Sequence, residues 1–244
     1  MKDCVAFCGM GVNIENFKNV FWEAINGRKG VGVMGNRKET LDELFKLKNE
    51  NEWKKYEDVI YVKLAGEQDR FIEKRIKKEL KSLKEMGVGK FFKVLEEEYC
   101  GWIKMLPINR RYMIEMYDSE KRNFTDIYRD LVAFIYDEEF CEDYCFEYYK
   151  KGFAILEQIN GVGEVAASGL LAIIHPKRFG IINSNVQEIL NEMFPGEFHG
   201  LEKSALMEEK LLEISKELNT LFGGNFWTPR KVDKVLWSVA KNDK

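Results

Sequence analysis

Apolar residues recur at intervals of three and four along most of this 244-residue chain, and that spacing is typical of amphipathic helices. The clearest case is a basic helix predicted over residues 67–86. Its apolar stripe consists of Ile72, Ile76, Leu80 and Leu83. From residue 67 onward the pattern predicts one helix after another with short connections, so we expect a mainly α fold.

The first part of the chain is less regular. Short apolar and β-branched runs at 5–8 and 59–62 suit strands, and we expect a small β element in this N-terminal region. We therefore predict two parts: residues 1–115, a region of unassigned function, and residues 116–244, a helical domain.

A glycine-rich turn between two predicted helices is the strongest functional signal. Residues 159–174 read Ile-Asn-Gly-Val-Gly-Glu-Val-Ala-Ala-Ser-Gly-Leu-Leu-Ala-Ile-Ile. Gly161 and Gly163 permit a sharp turn and a close backbone approach to a partner. The turn runs into a helix N-terminus, whose free N–H groups and positive dipole end suit a phosphate. We predict a helix-hairpin-helix at about 140–174; the alternative is a plain turn that binds nothing.

This stretch resembles the helix-hairpin-helix of the DNA glycosylase superfamily of the endonuclease III type. That family reads roughly Leu-Pro-Gly-Val-Gly-x-Lys-Thr-Ala. The matching positions are Ile159, Gly161, Val162, Gly163 and Ala167. The resemblance covers about residues 140–195 and implies a glycosylase-like helical scaffold that holds a DNA backbone.

The catalytic residues of the family do not carry over. The resemblance places its Schiff-base lysine at Val165 and its carboxylate at Asn183. A valine cannot act as a nucleophile, and an amide cannot act as a base. We therefore predict no catalytic residue at these positions.

The predicted function is weak, sequence-independent binding of the DNA phosphate backbone without base excision. The predicted contacts are Gly161, Val162 and Gly163 in the turn, with Lys177 and Arg178 supplying positive charge from a loop after the second helix. Two alternatives stay open. The first is a DNA repair or restriction enzyme whose catalytic residues are displaced, and the second is a protein-interaction module with a purely structural hairpin.

The charge distribution argues for weak binding. The net charge is −3, whereas proteins that bind nucleic acid tightly usually carry a basic surface. Acidic residues outnumber basic ones in the half of the chain that holds the hairpin. Glu164 follows the turn directly, where its carboxylate would repel a docked phosphate.

Other chemistry finds little support in the sequence. Neither of the two histidines has a partner at metal-ligand spacing, so we predict no metal and no cofactor. Five cysteines make an odd count for a disulfide framework, which favours a cytoplasmic protein. No apolar run reaches the roughly 18 residues that a membrane span needs, so we predict no membrane partner.

Overall fold

The computed structural model describes residues 47, 49–136, 140, 145–200 and 202–242, and these residues contain helices but no strand. The predicted mainly α fold is confirmed. In chain order the α-helices are α1 (Glu50–Tyr56), α2 (Val62–Ala65), α3 (Glu67–Leu80), α4 (Leu83–Val94), α5 (Cys100–Trp102), α6 (Pro107–Ser119), α7 (Lys121–Tyr136), α8 (Cys145–Leu156), α9 (Glu164–Ile174), α10 (Ser184–Met193), α11 (Lys203–Phe222) and α12 (Pro229–Asn242).

The strand predicted at 59–62 is wrong, because this run is helical. A π-helical turn spans Glu57–Tyr61 and continues into α2. The extra residue of the π turn lets Tyr56 and Tyr61, five positions apart, both face the core. In a short apolar run, the spacing of residues alone does not distinguish a buried strand from a buried helical segment. The other predicted strand, at 5–8, lies outside the described residues.

The predicted basic helix begins as expected but ends early. α3 stops at Leu80, and a turn at Lys81 and Ser82 separates it from α4. Within α4, Gly87 has a φ of 72° and kinks the helix. Positive φ is available to glycine at little cost, so the chain changes direction here before the next apolar stripe begins.

The helices pack around two apolar cores. The first is built mainly from α3, α4 and α6–α9, and the second from α1, α10 and α12, while α11 contributes to both. Met113 and Met116 flank the predicted boundary at 115/116, yet both lie in the first core. The boundary therefore does not coincide with the division between the cores.

The second core joins the beginning of the described chain to its end. The Tyr56 hydroxyl donates to the carbonyl of Lys234 at 3.1 Å and lies 2.7 Å from the hydroxyl of Ser238. Trp53 packs edge-on against Trp227, with 6.1 Å between ring centroids. No helix among the described residues is long and apolar enough to cross a membrane.

Candidate functional site: a hairpin turn beside a cleft

Helices α8 and α9 pack against each other and are joined by residues 157–163. At Gly152 of α8, an added Cβ would lie 3.3 Å from Leu171 of α9, so the two helices are close. In the turn, the amide of Val162 donates to the carbonyl of Ile159 at 2.9 Å. The side chains of Ile159 and Val162 are buried. Val162, predicted as a DNA contact, therefore anchors the turn with its side chain.

Gly161 is fixed by the helix beneath it. Its φ is 87°, and an added Cβ would lie 2.8 Å from the carbonyl carbon of Asn109 and nearer still to the oxygen. Asn109 belongs to the first turn of α6. The hairpin turn and α6 therefore form one packed surface, on which Leu106, Ile108 and Tyr112 are exposed apolar side chains.

Gly163, in contrast, faces open space. Its φ is −102°, and no atom lies within 4 Å of an added Cβ. It precedes α9 without a side-chain cap. In the described part of the chain, no hydrogen bond reaches the amides of residues 163–165. Three backbone donors at the positive end of an 11-residue helix are thus available to an anion.

Two carboxylates stand near these amides. Glu164 accepts a hydrogen bond from the Ser204 hydroxyl at 2.7 Å, which holds its carboxylate toward the start of α11. Burial, together with the nearby Glu164, raises the pKa of Glu157. The turn therefore presents hydrogen-bond donors within a locally acidic surface.

Val165 and Asn183 line the same cleft, whose volume is about 330 Å³. Val165 is 38% exposed. The side-chain oxygen of Asn183 caps α10 by accepting from the amides of Asn185 at 3.1 Å and Val186 at 3.2 Å. The amide side chain at position 183 thus has a structural role in the first turn of α10.

The backbone that carries Asn183 is held by buried side chains. Glu208 accepts from the amide of Gly180 at 2.8 Å, and Asp233 accepts from the amide of Ile181 at 2.6 Å. The Ser168 hydroxyl of α9 accepts from the amide of Ile182 at 3.1 Å. This segment therefore returns along α9 and brings Asn183 to the cleft wall that also holds Val165.

A buried ionic cluster lies behind the cleft and ties α12 to α3. Arg230 pairs with Asp233 and, at 2.8 Å, with Glu73, while Lys234 lies 2.6 Å from Glu57. Burial alone would raise the pKa of Glu73. The cations of Arg230 and Lys234 have a larger combined effect than burial and lower this pKa to about 2. Burial raises the pKa of Asp233 to about 7. Among the described residues, no cluster of three His, Cys, Asp or Glu side chains could hold a metal.

The mouth of the cleft carries aromatic and basic side chains. Trp102 and Lys104 line it from the side of the first core, and Tyr61, Trp237 and Lys241 from the side of the second. Lys104 and Lys241 are exposed and form no ion pair with any described residue. The sequence did not predict this site, although one face of α12 carries, at helical spacing, Arg230, Asp233, Lys234, Trp237 and Lys241.

The predicted cations Lys177 and Arg178 lie elsewhere. They follow the C-terminal end of α9, about 16 Å from its N-terminus by helix length. Arg178 donates to the Tyr148 hydroxyl at 2.9 Å and stacks 4.7 Å from the centre of the Phe140 ring, while Lys177 is exposed. The structure therefore does not bring these cations together with the amides of the turn.

The chain matches no protein-family model, no curated protein and no solved structure. The features that bear on function are therefore the turn, the cleft and the charges around them.

Proposed function

We propose that this protein binds duplex DNA through the phosphate backbone, without reading the sequence and without excising bases. The observation that carries this proposal is the set of three amides at residues 163–165, which lie at the start of α9 and have no hydrogen-bond partner among the described residues. A phosphate oxygen accepts such hydrogen bonds, and the helix dipole favours its negative charge. Backbone amides that contact phosphate carry no sequence information.

The absence of base excision follows from the two positions that the glycosylase resemblance assigns to catalysis. Both Val165 and Asn183 line the cleft. Neither can supply a nucleophilic amine or a carboxylate base. The oxygen of Asn183 already caps α10.

A displaced catalytic carboxylate is the competing proposal, since Asp69 and Asp233 also line the cleft. Asp233 is occupied by Arg230 and by the amide of Ile181. Asp69 is thus the better candidate for a base in such an enzyme.

Binding is expected to be weak, because the charges near the turn oppose it. Glu157 and Glu164 lie close to the amides, and the exposed Lys177 is at the far end of α9. A duplex could touch both ends of the helix, since these are about 16 Å apart. Because the contacts are to phosphate, binding should be sensitive to salt as well as weak.

The proposal is tested by fluorescence anisotropy with two labelled duplexes of unrelated sequence, each at two salt concentrations. We expect equal affinities for both duplexes and weaker binding at higher salt. Gly163→Ala should weaken binding, because its methyl group projects beside the amides into space that is now open. Gly89→Ala is the matched control, since an added Cβ there makes only ordinary contact, at 3.5 Å from Tyr117.

Charge variants separate the two ends of α9. Glu164→Lys should strengthen binding, because it removes a carboxylate beside the amides. Lys177→Glu should weaken binding and reduce the slope of affinity against salt. Absence of binding at low salt by both the wild type and Glu164→Lys would show that the hairpin is purely structural. The protein-interaction alternative would then take its place.

The lack of base excision is tested separately. Borohydride reduction in the presence of DNA that contains damaged bases should trap no covalent complex, and no base should be released. Trapping of a complex by purified protein would mean that a lysine elsewhere in the chain acts as the nucleophile, since position 165 is a valine.

A further inference from the structure

The cleft has the size and the lining of a small-molecule site. Its volume of about 330 Å³ falls within the usual range for ligand pockets. The rings of Tyr61 and Trp237 lie on one side with 5.4 Å between centroids, and Trp102 lies on the other side. Trp237 is only partly buried, and the Nζ atom of Lys241 lies 6.0 Å from the centre of its ring. A planar ligand that stacks on this ring would therefore have a cation beside it.

Four basic side chains line the cleft, two of them buried and two exposed. Arg230 and Lys234 line it, but they are paired with the carboxylates of Glu73 and Glu57, so we assign them a structural role. Lys104 and Lys241 at the mouth have no carboxylate partner among the described residues. Lys104 also has a φ of 56°, which is strained for a residue other than glycine. Such strain clusters at ligand-binding sites.

The remaining polar groups offer specific hydrogen bonds. Because Asn183 caps α10 with its oxygen, its Nδ2 group has no partner in the described part of the chain and can donate into the cleft. Asp69 lines the same cleft and can accept from an N–H group. A ring with polar edges, attached to an anionic group, would satisfy both side chains and both lysines.

We infer that the cleft binds a free mononucleotide, with the base stacked on Trp237 and the phosphate held between Lys104 and Lys241. The ligand carries its own phosphate, which matches two lysines that have no carboxylate partner among the described residues. Its base matches the aromatic and polar lining. At the two positions that the glycosylase resemblance assigns to catalysis, the cleft holds Val165 and Asn183 instead of a lysine and a carboxylate, so we expect it to bind a nucleotide rather than to excise a base. This inference does not depend on DNA binding by the hairpin.

The test is a titration of the full-length protein, followed by intrinsic tryptophan fluorescence and by calorimetry. The ligands are the common nucleoside monophosphates, the matching nucleosides and ribose 5-phosphate. We expect saturable quenching and heat with at least one monophosphate, weaker binding of its nucleoside and the weakest binding of ribose 5-phosphate. If ribose 5-phosphate bound as tightly as the monophosphates, the cleft would recognise only the phosphate, and the inference would be wrong.

Point variants locate the site. Lys104→Gln and Lys241→Gln should each weaken monophosphate binding about three- to tenfold and leave nucleoside binding unchanged. Lys78→Gln is the control, an exposed lysine of α3 without an ion pair among the described residues. Trp237→Leu should cost about tenfold with both ligands, because the stacking surface is lost. Trp237→Phe should retain most of the binding, and thermal melts check that each variant is folded.

Two outcomes would overturn the inference. The first is the absence of a signal with every monophosphate in the millimolar range. The second is the absence of an effect from both lysine variants, which would place the ligand elsewhere. If these variants weaken only DNA binding and no mononucleotide binds, the cleft serves a nucleotide of a strand instead. Gly163→Ala should leave mononucleotide binding unchanged, so the inference and the proposed function can fail independently.

Discussion

Replacement of Gly161 by alanine is the sharpest test of how the turn is built. The backbone at Gly161 has a φ of 87° and lies against the carbonyl of Asn109. A methyl group there would be 2.8 Å from the carbonyl carbon and closer to its oxygen. Because the obstacle is backbone in the first turn of α6, no side chain can swing away to make room. The turn or the helix must move.

Two costs combine at this position. A left-handed backbone costs an L-residue about 1–2 kcal/mol, and overpacking adds about 1–3 kcal/mol. We therefore expect Gly161→Ala to lower the free energy of unfolding by about 2–5 kcal/mol. For a chain of this size, the melting temperature should fall by about 5–15 °C.

The assay is urea and thermal denaturation followed by circular dichroism. Gly163→Ala is the matched control, two residues along the same turn, where φ is negative and the space is open. It should change the free energy of unfolding by less than about 0.5 kcal/mol. If Gly161→Ala were equally harmless, the turn would not rest on α6, and the rigid surface that presents the amides would lose its support.

Three further predictions concern polar side chains that support the fold. Arg230→Met should lower the free energy of unfolding by about 3–5 kcal/mol, as measured by denaturation. The reason is that the Asp233 and Glu73 carboxylates stay in the protein interior with one cation fewer. The control is Arg111→Met, at an exposed side chain. Asn183→Ala should cost about 1 kcal/mol by loss of the cap of α10, whereas Asn183→Asp should retain it. Burial, with Arg178 nearby, lowers the pKa of His175 to about 4, so the folded state keeps this imidazole neutral where the unfolded chain, with a pKa of about 6.5, takes a proton. The free energy of unfolding should then fall as the pH drops from about 6.5 to about 4, and His175→Gln should show a shallower fall; equal slopes would contradict this assignment.

The spacing of apolar residues predicted most of the helices. The predictions that were wrong have physical causes. The helices and the turn at Gly161 follow from local pattern and from glycine chemistry. The strand predicted at 59–62 is wrong because β-branched residues favour strands by local propensity, whereas this run forms the end of a π-helical turn and the start of α2. The resemblance assigned Asn183 to the position of the family's carboxylate. Its role as a helix cap could not be predicted, because that role depends on the residue at which α10 begins.

The cleft could not be predicted, because it joins segments that are far apart in the sequence. Tyr61 belongs to the second core, Trp237 packs against it and Trp102 packs against the first, so these three rings line one cleft only in the folded chain. The charges of α12 do fall on one face at helical spacing, yet that pattern usually marks a solvated surface. Only the packing shows that Arg230 and Asp233 turn inward while Lys241 stays exposed.

The central claim is that the amides of residues 163–165 contact DNA phosphate. It is tested most directly by an amide NMR titration of isotopically labelled protein with a short duplex. We predict that the amide signals of Gly163, Glu164 and Val165 shift most, and that a second duplex of unrelated sequence shifts the same signals to the same extent. If these three signals stay in place while others move, for example those around Phe71 and Lys78 on the outer face of α3, the hairpin is not the DNA contact and the claim is wrong.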